Sequence, residues 1–434
     1  MKFNKSFMIG ASTAGHQVEG NNKQSDFWTM EHLPHSVFKE PSLDAVDQYN
    51  RYEEDIKLMA EAGLTAYRFS IEWARIQPTK DTFDEKEINH YRQLLECCHN
   101  HNITPLVTLH HFASPHWLIS EGGWEAETTV NYFKAYTARI VTELGDLIPY
   151  ICTLNEANMG IQIARIMEKF MKQAKKASEN TKEADIKEGD VQVGLNMDAM
   201  KTREANAIAA GQAFGIDPRE VHTFLAPRTE AGNEIIKKCH IAAREVIKAI
   251  NPNIKVGITL SLYDYQILPG GEALAEKLWY EDFGQYLSTI TEDDFFGAQN
   301  YTRKICGPNG VVEPKKDAKL TDMGNEYYPQ ALGNVIAAVA KDWDKEIVVT
   351  ENGIATTNDE MRVAFIEEAL AGVHRCVEAG ILVTGYMHWS LLDNFEWQLG
   401  YRPRFGLIEV DRTTQTRKPK PSFTYLGSFG KEAF

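Results

Sequence analysis

Short apolar runs alternate with stretches of helical periodicity along this chain, and that alternation constrains its fold more than any other feature. Eight runs read as strands: 7–10, 66–70, 104–109, 151–154, 255–260, 295–300, 347–350 and 382–389. Between them, Ile88, Tyr91, Leu94, Leu95 and Cys98 share one helical face, as do Tyr49, Tyr52, Ile56 and Met59. The stretch carrying Phe365, Ala369, Leu370 and Val373 opens on Asn358 as an N-cap, with Asp359 and Glu360 in its first turn. Strands alternating with helices pair in parallel, and eight such units close into a (β/α)8 TIM barrel of the α/β class. An open doubly wound sheet is the alternative. It usually carries a Gly-rich phosphate loop after its first strand, but Gly10-Ala11-Ser12-Thr13-Ala14-Gly15 is not GxGxxG, and neither GxxxxGKS nor GxxxxGKT occurs.

A length of 434 residues suits one such barrel over 1–434, given an insertion. The rhythm breaks between about 160 and 230, after the fourth strand. Ile163, Ile166, Met167, Phe170 and Met171 form an amphipathic stretch flanked by Lys169, Lys172, Lys175 and Lys176, and 179–190 is polar. Two or three helices are expected there, packed on the barrel side or forming part of its rim. A net charge of −15 disfavours nucleic acid and anionic lipid as partners. No apolar stretch approaches the ~18 residues of a membrane span. The six cysteines form no CxxC pair, which suits free thiols in a reducing compartment. Cys97, Cys98, His99 and His101 could be read as a metal site, but they end an amphipathic helix, where packing and capping roles are commoner. The N-terminus is too short in apolar residues for a signal peptide, so a cytoplasmic location is expected. No cofactor and no metal are expected, and a homo-oligomer is compatible.

Two carboxylates stand where apolar runs end. They are Glu156 in Thr153-Leu154-Asn155-Glu156 and Glu351 in Thr350-Glu351-Asn352-Gly353. Their separation, 351 − 156 = 195 residues, fits strands about three repeats apart on one ring. Facing carboxylates are the minimal equipment for breaking a glycosidic bond: one protonates the leaving oxygen, while the other attacks the anomeric carbon or activates water. Each has an adjacent Asn able to bond a hydroxyl or a carboxylate. A sugar site also mixes aromatic platforms with hydrogen-bonding groups. That mixture recurs at strand ends: Gln17 and Glu19; Arg68, Glu72 and Trp73; His110, His111 and Phe112; Asn300 and Tyr301; then Trp389 through Trp397.

These motifs resemble glycoside hydrolase family 1, the β-glucosidase family. The matching stretches are FMIGASTAGHQVEG (7–20), YRFSIEWARIQP (67–78), TLHHF (108–112), TLNE (153–156), DFFGAQNY (294–301), VTENGI (349–354) and HWSLLDNFEWQLGYRPRFGL (388–407). The resemblance implies a retaining mechanism on a TIM barrel. Glu351 would be the nucleophile and Glu156 the acid, then base. Arg68 and Tyr301 would hold Glu351 ionised and aimed. Gln17, His111, Asn155, Glu396 and Trp397 would bind the terminal sugar's hydroxyls, and Trp389 would lie beneath its ring. A carboxylate at Glu396 repels a 6-phosphate, so a neutral sugar is favoured, glucose first, with galactose or fucose open.

Several positions depart from the family pattern: Ile151, Phe112, Ala113 and Gln48, and Ala157 where a Pro is common after the acid. They bear on the leaving-group side. The leading expectation is therefore an exo-β-glycosidase acting on small oligosaccharides or aryl glycosides. The alternatives are a 6-phospho-β-glycosidase, an endo-glycanase of a related barrel clan, and a non-catalytic sugar-binding barrel.

Overall fold

The computed structural model describes residues 1–180, 192–196 and 202–432. The expected barrel is present. Its strands are Met8–Ser12, Ala66–Ser70, Thr104–His110, Tyr150–Leu154, a fifth in two pieces (Lys255–Gly257 and Thr259–Ser261), Phe295–Gln299, Glu346–Gly353 and Val383–Trp389. All neighbouring pairs are parallel, and strand one pairs with both strand two and strand eight. The ring closes through the broken fifth strand. Its first piece pairs with strand four and its second with strand six, and Ile258 between them accepts from Gly297 N at 3.0 Å.

Alternation along each strand sends one set of side chains inward. Met8, Ala66, Leu106, Cys152, Phe295, Val348 and Met387 form their own buried cluster, one residue from each of seven strands. Two positions farther along strand two, toward its C-terminal end, stands Arg68, so the apolar plug supports a polar layer. A larger core lies between the strands and the outer helices. The expected apolar face of helix Glu85–Asn100 is buried, and Asn358 caps helix Asp359–Glu378 by accepting from Met361 N.

One strand departs from expectation in a way that matters. The seventh runs on to Gly353, so Glu351 lies within it rather than after it. Its pairing slips between Val349 and Glu351 against strand six, the signature of a bulge. Ser12 Oγ donates to Thr350 O at 2.7 Å and holds that bulge. A bulge re-aims the next side chain, here Glu351. The sequence reading also missed a side sheet of Asp264–Ile267, Arg303–Gly307 and Gly310–Val312.

In the stretch after strand four, helix Met159–Asn180 buries Ile163, Ile166 and Met167 and leaves Met171 exposed. Residues 192–196 follow, then helix Arg203–Phe214. The side chains of Phe170, Lys172, Lys175 and Lys176, and most of the polar 179–190 stretch, lie outside the described residues. Cys97 and Cys98 end their helix buried, and no metal-binding group of three His, Cys, Asp or Glu occurs among the described residues. Nor does any helix there have the length and apolarity to cross a membrane.

Candidate active site

The C-terminal ends of the barrel strands converge on one buried polar cluster, where barrel enzymes carry their chemistry. Gln17, Arg68, His111, Asn155, Glu156, Glu351, Trp389, Glu396, Trp397 and Tyr301 are all buried, Tyr301 the most exposed at 8%.

Glu351 is gripped at both oxygens. Arg68 Nη1 donates to Oε1 at 2.6 Å, and the Tyr301 hydroxyl donates to Oε2 at 2.6 Å. Arg68 Nη2 reaches Asn155 Oδ1 at 2.6 Å, which ties the strand ends carrying Glu156 and Glu351 together. Asn155 Oδ1 also accepts from Gln299 Nε2 at 2.8 Å, and Asn155 Nδ2 donates to His111 Nε2 at 3.0 Å. Burial, with the Arg68 charge behind it, pushes His111 well below its ordinary range, so a neutral ring accepts that bond. Much of Asn155 is therefore committed to holding Arg68 and His111.

Glu156 sits in a tight turn with φ +43°, a conformation sparsely used by residues with a side chain. Strand five holds the turn: Thr259 Oγ1 accepts from Glu156 N at 3.0 Å, and Thr259 O accepts from Ala157 N at 3.1 Å. A Pro at 157 could not make the second bond. Glu156 Oε1 is buried without a hydrogen-bond partner among the described residues, as are Gln17 Oε1 and His111 Nδ1.

Burial raises both carboxyls above the ordinary range. At Glu351 it is opposed by the Arg68 charge and the Tyr301 hydroxyl. At Glu156 the Glu351 charge adds to it. These influences favour the charged form more at Glu351 than at Glu156.

Glu396 flanks this pair. Its Oε2 lies 3.4 Å from Gln17 Nε2, and its Oε1 accepts from Gly194 N at 3.2 Å. Burial raises its pKa to about 8. Trp389 packs near His111, with ring centroids 5.6 Å apart, and Trp397 lies 6.0 Å from His111 on another side.

Some residues in the strand-end mixture belong to the framework instead. Asn352 donates to Asn300 O at 2.7 Å and accepts from Tyr386, so it is not free for a hydroxyl. Asn300 clamps the carbonyls of Leu262 and Thr302. Glu19 is held by Arg75 and Tyr91, Glu72 by Asn22 and Ser70. Trp73 bonds Gln77, and His110 bonds Ser114 between aromatic rings. Gln299, Thr259 and the 192–196 segment were missed. For Gln299 the signal was present: it is the polar residue that ends an otherwise apolar strand.

A family model described as Glycosyl hydrolase family 1 matches residues 1–185 and 272–433. Beta-glucosidase A of Acetivibrio thermocellus is 30% identical, with 97% of this chain and 96% of that protein covered. The beta-glucosidase of an Agrobacterium species is also 30% identical, over 97% of this chain and 94% of its own length. Among solved structures, beta-glycosidase BGL167 superposes with a TM-score of 0.88 at 43% identity, covering 99% of this chain and 97% of its own. With paired carboxylates at the ends of barrel strands and a family match over most of its length, this chain belongs to glycosyl hydrolase family 1.

Proposed function

We propose that this chain is a retaining exo-β-glucosidase that releases the non-reducing terminal sugar of small oligosaccharides or aryl glycosides. One observation carries the assignment of roles: Glu351 is held at both oxygens by Arg68 and Tyr301, while Glu156 keeps an unpaired oxygen beside it. In the first step Glu351 bonds to the anomeric carbon as the C–O bond breaks, and the Glu156 proton passes to the departing oxygen. In the second, Glu156 takes a proton from water, whose oxygen displaces Glu351. Each displacement inverts the carbon, so the product keeps the β configuration.

Gln17, His111 and Glu396 are assigned to the sugar hydroxyls, with Asn155 contributing its remaining amide hydrogen. Trp389 is the platform and Trp397 a wall. The first relatives found are beta-glucosidases by name, which supports glucose as the preferred sugar. A 6-phospho-beta-galactosidase of Clostridium acetobutylicum is 26% identical, which keeps the phosphorylated reading in the test. Against it stands Glu396, an acidic group with no cation among its hydrogen-bond partners in the described residues.

The whole chain acts as one catalytic unit, and the described 192–196 segment of the 160–230 stretch lies against the site. Six buried cysteines outside any disulfide support a reducing, cytoplasmic setting.

The test is a kinetic screen of nitrophenyl β-glycosides with and without 6-phosphate, with the released sugar's anomeric form read by proton NMR. Turnover of the glucoside with β-glucose appearing first is expected. An α product overturns the retaining mechanism, and turnover of only the 6-phosphate substrates overturns the neutral sugar.

A further inference from the structure

Arg228 lies at the far end of the insertion, in the 186–271 stretch that the family model does not match. It is 5% exposed, and its side-chain hydrogen bonds among the described residues go to carbonyls, with Glu125 acting on it through charge alone. Burial pushes its guanidinium down to about 10. A buried charge with no carboxylate bonded to it is costly, so chains keep one only where its hydrogen bonds are used. Here Nη1 donates to Ala157 O at 2.6 Å and Nη2 to Phe224 O at 2.9 Å. The guanidinium carbon lies over the Phe224 ring, 4.7 Å from its centroid.

Ala157 follows Glu156, whose backbone is in the left-handed region. Ala157 is thus held on both of its flanking peptides: Thr259 O takes its N–H, and Arg228 holds its carbonyl. Arg228 also donates its own N–H to Gly160 O at 3.1 Å. Gly160 makes room for this: a Cβ there would stand 2.7 Å from the Arg228 guanidinium carbon and 2.8 Å from Nε. The planar fork suits the task, since it bridges two carbonyls from one fixed plane, which an ammonium cannot do.

We propose that Arg228 is a positioning residue for the proton donor: through the Ala157 carbonyl it holds the Glu156 turn, so that the carboxyl meets the leaving oxygen. The inference rests on the reading of Glu156 as the acid. Its effect falls on the step in which a proton is donated, so it depends on how badly the leaving group needs one.

The test compares Arg228→Met, Arg228→Lys and Gly160→Ala with Glu156→Gln and the parent on a series of aryl β-glucosides, from phenyl to 2,4-dinitrophenyl. In Arg228→Met, kcat/KM for the phenyl glucoside should fall about tenfold or more relative to the dinitrophenyl glucoside, with the same trend, smaller, in Arg228→Lys. Gly160→Ala keeps the charge but crowds it, and should show that leaving-group bias too. If Arg228→Met does not fold, the other two variants decide the matter. An equal loss across all leaving groups, with only a lower Tm, reduces Arg228 to a structural residue and overturns the proposal. If Glu156→Gln itself lacks the bias, the assignment of Glu156 fails instead.

Discussion

Gly194 donates its backbone N–H to Glu396 Oε1 at 3.2 Å, and a Cβ on Gly194 would stand 2.6 Å from the Glu396 carbonyl oxygen. The insertion therefore touches the residue assigned to recognise the sugar. The same segment reaches the other side of the site, where Gln192 Oε1 accepts from Tyr301 N at 2.8 Å. Gly194 O and Asn196 N in turn bond Gln398.

Gly194→Ala tests this contact. The added methyl meets backbone as well as the Glu396 side chain, so the loop or the carboxyl must move. KM for nitrophenyl β-glucoside should rise about tenfold, equivalent to about 1.4 kcal/mol of lost binding. The melting temperature should change little, because the contact is made by a single short segment. An unchanged KM would separate the segment from sugar recognition.

The paired carboxylates should fail differently. Glu351→Gln removes the nucleophile and should lower kcat/KM by about 10⁴-fold on every glycoside. Glu156→Gln should spare substrates whose leaving group departs without a proton, so the dinitrophenyl glucoside should still form the glycosyl-enzyme. Its hydrolysis then slows for want of a base, and azide should restore turnover by attacking in place of activated water. A Glu351→Gln variant with near-normal rates would show the nucleophile to be misassigned.

Tyr301→Phe removes one of the two donors to Glu351. That bond favours the ionised carboxylate, so its loss raises the Glu351 pKa further. The enzyme needs Glu351 ionised, so the acid limb of the kcat/KM profile should move to higher pH. The rate at the optimum should fall roughly 10- to 100-fold, the range for a hydrogen bond to a charged group. A limb that stays put would mean that Arg68 alone sets the ionisation.

The run 66–70 is a strand residue for residue, and helix Glu85–Asn100 buries the face its periodicity marks. Both are local patterns, and local patterns are what one chain displays. The ten site residues came together because barrel topology gathers strand ends, wherever they fall in sequence. What stayed hidden depends on contacts between distant segments. The bulge that aims Glu351 is a property of two pairing registers and cannot be read from 347–350 alone. The commitment of Asn352 to Asn300, and of Glu72 to Asn22 and Ser70, appears only once those segments meet. The Gly194 and Arg228 contacts lie in the stretch where the alternation of strand and helix breaks down.

Glu396 should reveal a conflict between recognition and stability. Its folded pKa is about 8 against an ordinary value of 4.5, with burial as the main cause. Between those values the folded chain holds a proton that the unfolded chain gives up. Stability therefore falls as pH rises through that window, and the loss is complete above the folded value. Glu396→Gln keeps the shape and cannot ionise. Its Tm should decline less than the parent's between pH 5 and pH 9, leaving the variant roughly 3–6 °C more stable at the alkaline end. Glu19 and Asp26, each raised by burial to about 7, supply a slope of the same sign in both proteins, so only the difference between the two curves reports Glu396. The same variant should bind glucosides more weakly, since an amide cannot accept from sugar hydroxyls at both of its heavy atoms. Thermal scans at pH 5, 7 and 9 decide it: parallel curves would mean that Glu396 is not the alkaline weak point.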